Sequence, residues 1–197
     1  RSRINPVAGR HHPRAAYSRT ELAKKALGVE GLDGEVRLTD GRGSAYAIAA
    51  EMIDSGARTV VAWGGDGTIN EVANATVDTG TTLGVVPGGS GNGFARGLRL
   101  ENQPELALKT ALTGPTRFID AGEIDNRLFV NVAGVGFDAH LAGVFNHLRV
   151  RGVWSYFLSG MRELFTYRAS SYTVCSEGQE FTMDAFLVTI ANGPEYG

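Results

Sequence analysis

Apolar positions along the first 113 residues alternate between two rhythms. Thr59-Val60-Val61-Ala62-Trp63 and Thr82-Leu83-Gly84-Val85-Val86 are almost continuously apolar. Such runs are expected of strands buried on both faces of a parallel sheet, which have no polar side to show. Elsewhere apolar residues recur every three or four positions. Ala45, Ile48, Ala49, Met52 and Ile53 keep the spacing of one helix face, with Ser44 as a cap and Gly56 as a stop. Ile69, Val72, Ala73 and Val77 form a second stripe, with Thr68 and Glu71 at capping-box spacing. A strand over 1–4 ending at Asn5-Pro6, a helix over 20–27, a strand over 35–38 and a short helix over 94–98 complete the series. Strand and helix alternating from Ile4 to about Thr113 predict right-handed β-α-β crossovers and a sheet covered on both faces.

After Gly114-Pro115 the rhythm changes. Residues 117–124 and 128–135 read as strands around the turn Asp125-Asn126-Arg127, a hairpin signal with no helix between them. Helical patterns follow over 138–145 and 153–166, then short strands near 172–175, 180–183 and 185–191. The expected fold class is therefore α/β: a parallel-sheet domain over 1–116, then a β-rich domain over 117–197. The second sheet has nothing to close it before Gly197, so that domain reads as incomplete, and an unclosed sheet leaves room for a homo-oligomer.

Composition narrows the function. The chain has 197 residues, 43% hydrophobic and 20% charged, which excludes disorder. Its 19 Lys+Arg against 21 Asp+Glu leave a net charge of −2, so no global basic field exists to hold nucleic acid. A single cysteine, Cys175, excludes an intrachain disulfide and a cysteine zinc site, and its apolar neighbours read as the surroundings of a buried thiol. No apolar run approaches the ~20 residues of a membrane-spanning helix, and the first residues lack a signal pattern, which points to the cytoplasm.

Glycine changes the picture most. The chain has 27, about twice the average share of ~7%, and they crowd between Gly64 and Gly97. Gly64-Gly65-Asp66-Gly67-Thr68 lies at the carboxyl end of a strand, where ligands of open parallel sheets bind. The free amides and dipole of the following helix attract an anion there. The bland alternative is a tight turn with Asp66 as a local cap. The run lacks the Gly-Lys-Ser/Thr ending of a P-loop and the spacing of a dinucleotide fingerprint. Beside a polyphosphate the Asp66 carboxylate would be repelled, so it acts through Mg²⁺ or takes a proton from an acceptor hydroxyl. Both roles suit phosphoryl transfer. A second loop, Gly88 to Gly93, offers Ser90 and Asn92 as neutral partners for the same ligand.

Two basic stretches have two readings each. Arg10, His11, His12 and Arg14 form a solvated loop or touch phosphate or anionic lipid. Residues 145–165, with Arg149, Arg151 and Trp154, pack on the second sheet or rest on a membrane surface.

Taken together, Asn5-Pro6-Val7-Ala8-Gly9, Gly64-Gly65-Asp66-Gly67-Thr68-Ile69-Asn70-Glu71 and Pro87-Gly88-Gly89-Ser90-Gly91-Asn92-Gly93-Phe94-Ala95-Arg96 resemble the diacylglycerol kinase catalytic family. The likeness is to its bacterial lipid kinases and the related sphingosine and ceramide kinases. Thr39, Asp120-Ala121-Gly122, Gly134 to Asp138 and Asn192 extend it over nearly the whole chain. The resemblance implies an NAD-kinase-like nucleotide domain followed by a β-sandwich-like domain. It implies ATP and Mg²⁺ as cofactors, a lipid acceptor at the membrane surface, and a peripheral position at the inner membrane.

Site residues carry over one at a time. Asn5, Pro6, Val7, Ala8 and Gly9 match the first nucleotide loop, and Thr39 a nucleotide-contacting threonine. Gly64, Gly65, Gly67, Thr68, Ile69, Asn70 and Glu71 match the phosphate loop, with Asp66 as its catalytic aspartate. Gly89, Ser90 and Asn92 match the second loop, and Asp138 an acidic residue that touches the lipid headgroup in the sphingosine kinase branch, unless it is a helix cap. Two departures stand out. Ser90 replaces the usual threonine, and Gly93 stands where the family carries an aspartate. Metal ligands stay unassigned, because the family's downstream acidic residues lie beyond the match to Asn192. The implied activity is transfer of the γ-phosphate of ATP to a hydroxyl of diacylglycerol or a sphingoid-type lipid. The alternatives are a kinase of a soluble acceptor such as NAD, or a non-catalytic nucleotide-binding or lipid-binding module.

Overall fold

The computed structural model describes residues 2–6, 13–136, 168–176 and 178–194. Contacts divide the chain into two units: Arg1–Val132 with Asn192–Gly197, and Ala133–Ala191. Both units follow the α/β reading, the first built on a parallel sheet and the second rich in strands.

The first unit is organised by three parallel strands, β1 (Ser2–Pro6), β2 (Thr59–Gly64) and β3 (Thr82–Pro87), in the order β1-β2-β3. Val60, Ala62 and Val85 face one apolar cluster, and Val61, Trp63 and Val86 face the other. Alternation along each strand thus feeds two cores, which is why these segments carry no polar face. The first core is completed by α2 (Ser44–Asp54), α3 (Asp66–Thr76) and the short α4 (Gly93–Gly97). The second is completed by α1 (Pro13–Val29) and α5 (Pro104–Thr113).

Several boundaries differ from the sequence reading. The strand β1 runs on through Asn5-Pro6, and α1 begins at Pro13, a residue suited to a first helical turn. Residues 35–38 form no strand beyond an isolated bridge at Val36. The expected capping box at Thr68 and Glu71 is not formed. The cap of α3 is Gly65, so Thr68 is already inside the first turn and Glu71 points elsewhere.

A hairpin, β4 (Gly122–Ile124) and β5 (Arg127–Phe129), belongs to the first unit. Its turn is the two-residue Asp125-Asn126, with φ of 51° and 58°, the left-handed pair that matches strand twist.

In the second unit β6 (Val132–Gly136) pairs with β9 (Leu187–Ala191). The strands β7 (Ser170–Ser176) and β8 (Gln179–Ala185) form an antiparallel ladder in which Tyr172 faces Met183 and Val174 faces Phe181. Cys175, read from its apolar neighbours as buried, is exposed, because the β7–β8 ladder shows both of its faces, Val174 and Phe181 on the other side being exposed as well. The helical patterns at 138–145 and 153–166 lie outside the described residues.

Candidate functional site

The parallel register brings the candidate residues to one edge. Asn5 and Pro6 pair with Ala62 and Trp63, and Gly64 with Pro87, so the loops after β1, β2 and β3 leave the sheet at the same carboxyl end. The Gly88 amide donates to the Gly64 carbonyl at 2.9 Å, carrying the ladder one step into the glycine loops. There the two loops touch: a Cβ on Gly65 would stand 3.3 Å from the Cα of Gly89. Glycine is needed at this crossing because backbone meets backbone.

Asp66 sits on that crossing. Its Oδ1 accepts from the Phe94 amide at 2.9 Å and its Oδ2 from the Gly93 amide at 3.1 Å. Asp66 is therefore a cap, but for α4 across space and not for its own helix. The bond from the Gly93 amide arises at the position where the resemblance expects an aspartate. Within the second loop, Asn92 Oδ1 accepts from the Gly89 amide at 2.8 Å and Asn92 Nδ2 donates to the Gly89 carbonyl at 2.9 Å. Asn92 takes the left-handed conformation, φ 55°, that this closure requires. Ser90 is exposed beside it.

The first turn of α3 presents the remaining donors. Ile69 donates its amide to the Gly65 carbonyl, which leaves the Asp66, Gly67 and Thr68 amides as the unpaired start of the helix. A Cβ on Gly67 would meet nothing within 4 Å among the described residues, so the helix surface is open at this point. This is a cradle of the right chemistry for a phosphate.

Other members of the matched run turn inward. Ile69 is fully buried in the first core. Asn70 Nδ2 donates to the Leu128 carbonyl at 3.2 Å, and Asn70 Oδ1 accepts from the Val130 amide at 3.3 Å. Asn74, one turn later, donates to the same Leu128 carbonyl at 3.0 Å. Glu71 accepts from the Gly43 amide at 2.8 Å and the Ala45 amide at 3.1 Å, capping α2 and drawing its start onto α3. Thr39 is half-buried in the stretch leading to that cap. Val7, Ala8, Gly9 and Asp138 lie outside the described residues.

A second feature adjoins α4. A cavity of about 240 Å³ is lined by Phe94, Leu98, Arg117, Asp120, Asn131 and Asn192 among others, all in the first unit. Asn192 Nδ2 donates to the Asp120 and Val130 carbonyls at 2.7 and 3.1 Å, and the Asn192 and Gly193 amides both donate to the Asn131 carbonyl. Asn131 Oδ1 is buried and has no hydrogen-bond partner among the described residues.

The sequence reading passed over Asn74 and Arg19. Asn74 could have been found from its i, i+4 relation to Asn70. Arg19 was hidden because the helix was expected to start at Thr20, whereas it lies within α1 with its guanidinium 5.7 Å from the Trp63 ring centroid.

For Mg²⁺ the described residues hold no group of three or more carboxylate, histidine or cysteine ligands. An ion carried by nucleotide phosphates needs only one or two carboxylates, and Asp66, with one lone pair per oxygen still available, fits that mode.

Fold and loops define the class, an α/β domain whose parallel sheet carries two touching glycine loops and a helix start at one edge. A family model described as the diacylglycerol kinase catalytic domain matches residues 4–124, and one described as the YegS C-terminal NAD kinase beta sandwich-like domain matches residues 131–197. The chain belongs to the diacylglycerol kinase catalytic domain family.

Its relatives include proteins named "probable lipid kinase YegS-like". The one from Chromohalobacter salexigens is 33% identical over 168 residues, covering 82% of this chain and 54% of the relative. The one from Yersinia enterocolitica is 34% identical over 182 residues, covering 89% and 62%. The chain thus spans roughly half to two thirds of the length of these relatives. A crystal structure of a diacylglycerol kinase from Bacillus anthracis strain Sterne superposes with a TM-score of 0.69 at 24% identity, covering 97% of this chain and 63% of that one, which shows a shared fold. Among the described residues no helix is long and apolar enough to cross a membrane.

Proposed function

We propose that the protein is an ATP-dependent lipid kinase, which transfers the γ-phosphate to a hydroxyl of diacylglycerol or a sphingoid-type lipid. In this reading residues 1–116 bind the nucleotide and residues 117–197 begin the acceptor side. The observation that carries it is the Asp66 carboxylate at the crossing of two glycine loops, beside the free amides of α3. Phosphates rest on the Gly67 and Thr68 amides. Asp66 accepts the proton of the acceptor hydroxyl as its oxygen bonds to the γ-phosphorus and the bond to the bridging oxygen breaks, leaving ADP and a phosphomonoester. Bound Mg²⁺ supplies charge neutralisation along the phosphates. A lipid acceptor requires approach to a membrane surface, in keeping with a peripheral position at the inner face of the cytoplasmic membrane.

The test is transfer of labelled phosphate from Mg-ATP into organic-extractable product, with a panel of lipid acceptors in mixed micelles. Label in a lipid supports the reading. ATP binding without lipid labelling, but with label in a soluble acceptor such as NAD, replaces the acceptor class. One observation favours a third outcome, a catalytically silent nucleotide-binding module: both Asp66 oxygens already serve α4 as a cap. Saturable ATP binding with no transfer to any acceptor would establish it.

A further inference from the structure

The glycine loops hold little positive charge. Residues 64–70 and 88–95 lack lysine and arginine, and Arg96, which follows, donates Nη1 to the Gly91 carbonyl at 2.8 Å. A triphosphate carries several negative charges, more than Arg96 alone offsets, so further positive charge at this edge is called for. The geometry points to Arg19 as such a charge: a phosphate-binding residue whose guanidinium is held toward the carboxyl edge of the sheet by a cation–π contact with Trp63. This rests on the nucleotide reading above and adds a residue and an element that the glycine motifs do not contain.

The placement follows from packing. Trp63 is the last residue of β2 before Gly64 and is only 2% exposed. One edge of its ring lies under the second loop, where a Cβ on Gly88 would come within 3.0 Å of Trp63 Cδ1. Arg19 reaches the ring from α1, which packs on β1. One turn further along α1, Ala23 is fully buried in the same cluster as Trp63 and Val86. A helix that follows β1 runs back along the sheet, so the turns before Ala23 lie toward the carboxyl edge, the edge the glycine loops share. Arg19 and the second loop thereby both border the Trp63 indole.

The energetics call for an anion. Arg19 is half-buried and makes no ion pair with a carboxylate among the described residues. Taking a guanidinium partly out of water costs free energy that a cation–π contact with an indole offsets only in part, by roughly 0.5–2 kcal/mol. Arginine also differs from lysine here. A planar guanidinium can face a ring while its in-plane N–H donors remain available to phosphate oxygens.

The experiment is calorimetric titration of the full chain with ATP, adenosine and inorganic tripolyphosphate, for the wild type, Arg19→Gln and Arg19→Lys, with melting curves for each. Arg19→Gln is expected to weaken ATP and tripolyphosphate about tenfold and leave adenosine unchanged, a loss of about 1.4 kcal/mol. Arg19→Lys should fall between the two. Wild-type affinity for tripolyphosphate in Arg19→Gln overturns the proposal, as does an equal loss of ATP and adenosine affinity with a lowered melting temperature, which marks a packing role. Phosphate on an anionic lipid is the rival source of the same chemistry. If Arg19→Gln keeps tripolyphosphate binding but loses binding to phosphatidylglycerol vesicles relative to phosphatidylcholine vesicles, the guanidinium serves the membrane and the proposal falls. A wild type that binds neither ATP nor tripolyphosphate overturns the nucleotide reading itself, an outcome distinct from any failure of the variants.

Discussion

Gly89 stands so close to Gly65 that a Cβ added to it would lie 2.6 Å from the Gly65 Cα and 3.1 Å from Asn92 Oδ1. The first of these atoms is backbone and cannot rotate away. Gly89→Ala is therefore expected to part the loops and to destabilise the protein by about 1–3 kcal/mol. Urea unfolding reads this as a lower midpoint, and ligand binding should fall with it.

Gly67→Ala should separate stability from binding. The new methyl meets nothing within 4 Å and sits inside α3, where alanine is favoured over glycine by roughly 0.5–1 kcal/mol. Unfolding should therefore be unchanged or shifted to higher urea, while the methyl occupies the space above the helix amides and weakens ATP. Equal ATP affinity in calorimetry would remove Gly67 from the phosphate cradle.

Asp66→Asn leaves one acceptor where the carboxylate had two, so either the Gly93 or the Phe94 amide loses its partner. A stability loss of about 1–2 kcal/mol is expected, small enough to keep the fold. Phosphate transfer should drop by at least ~10²-fold if Asp66 takes the acceptor proton. Full transfer activity in this variant would exclude that role.

Glu71→Ala removes the partner of the Gly43 and Ala45 amides and should cost about 1–2 kcal/mol, as loss of a helix cap does. Glu71→Gln keeps one acceptor and should cost about half as much. Hydrogen exchange at the Gly43 and Ala45 amides checks the assignment directly, since both should lose protection in the alanine variant before the rest of α2 does.

The parallel sheet was legible because its strands are buried on both sides, and burial of that kind writes a continuous apolar run into Thr59–Trp63 and Thr82–Val86. The glycine crossing was legible for a related reason, since two backbones in contact leave no choice of residue at Gly65 and Gly89. What the sequence hid were relations across space. Thr68 and Glu71 have the spacing of a local cap, yet Glu71 serves a different helix, because α3 already starts at Asp66. Asn70 lies within the phosphate-loop match but spends both polar groups on the hairpin. Arg19 shows the cost of a helix boundary placed seven residues late, for its indole partner lies 44 positions away. Cys175 failed as a buried residue because the apolar residues beside it on the β7–β8 ladder, Val174 and Phe181 among them, are exposed as well.

The Asn70 and Asn74 amides have one more effect. In a two-residue hairpin the pair flanking the turn bonds inward, so Leu128, one step on, points its peptide groups outward from β4. That outward rim would be a template for a foreign strand, the starting point of intermolecular aggregation. Asparagine side chains from α3 occupy it at the Leu128 carbonyl and the Val130 amide, in the manner of a neighbouring strand's own peptide groups. The same two residues that fix the hairpin to its helix thus occupy the backbone groups with which a foreign strand would pair.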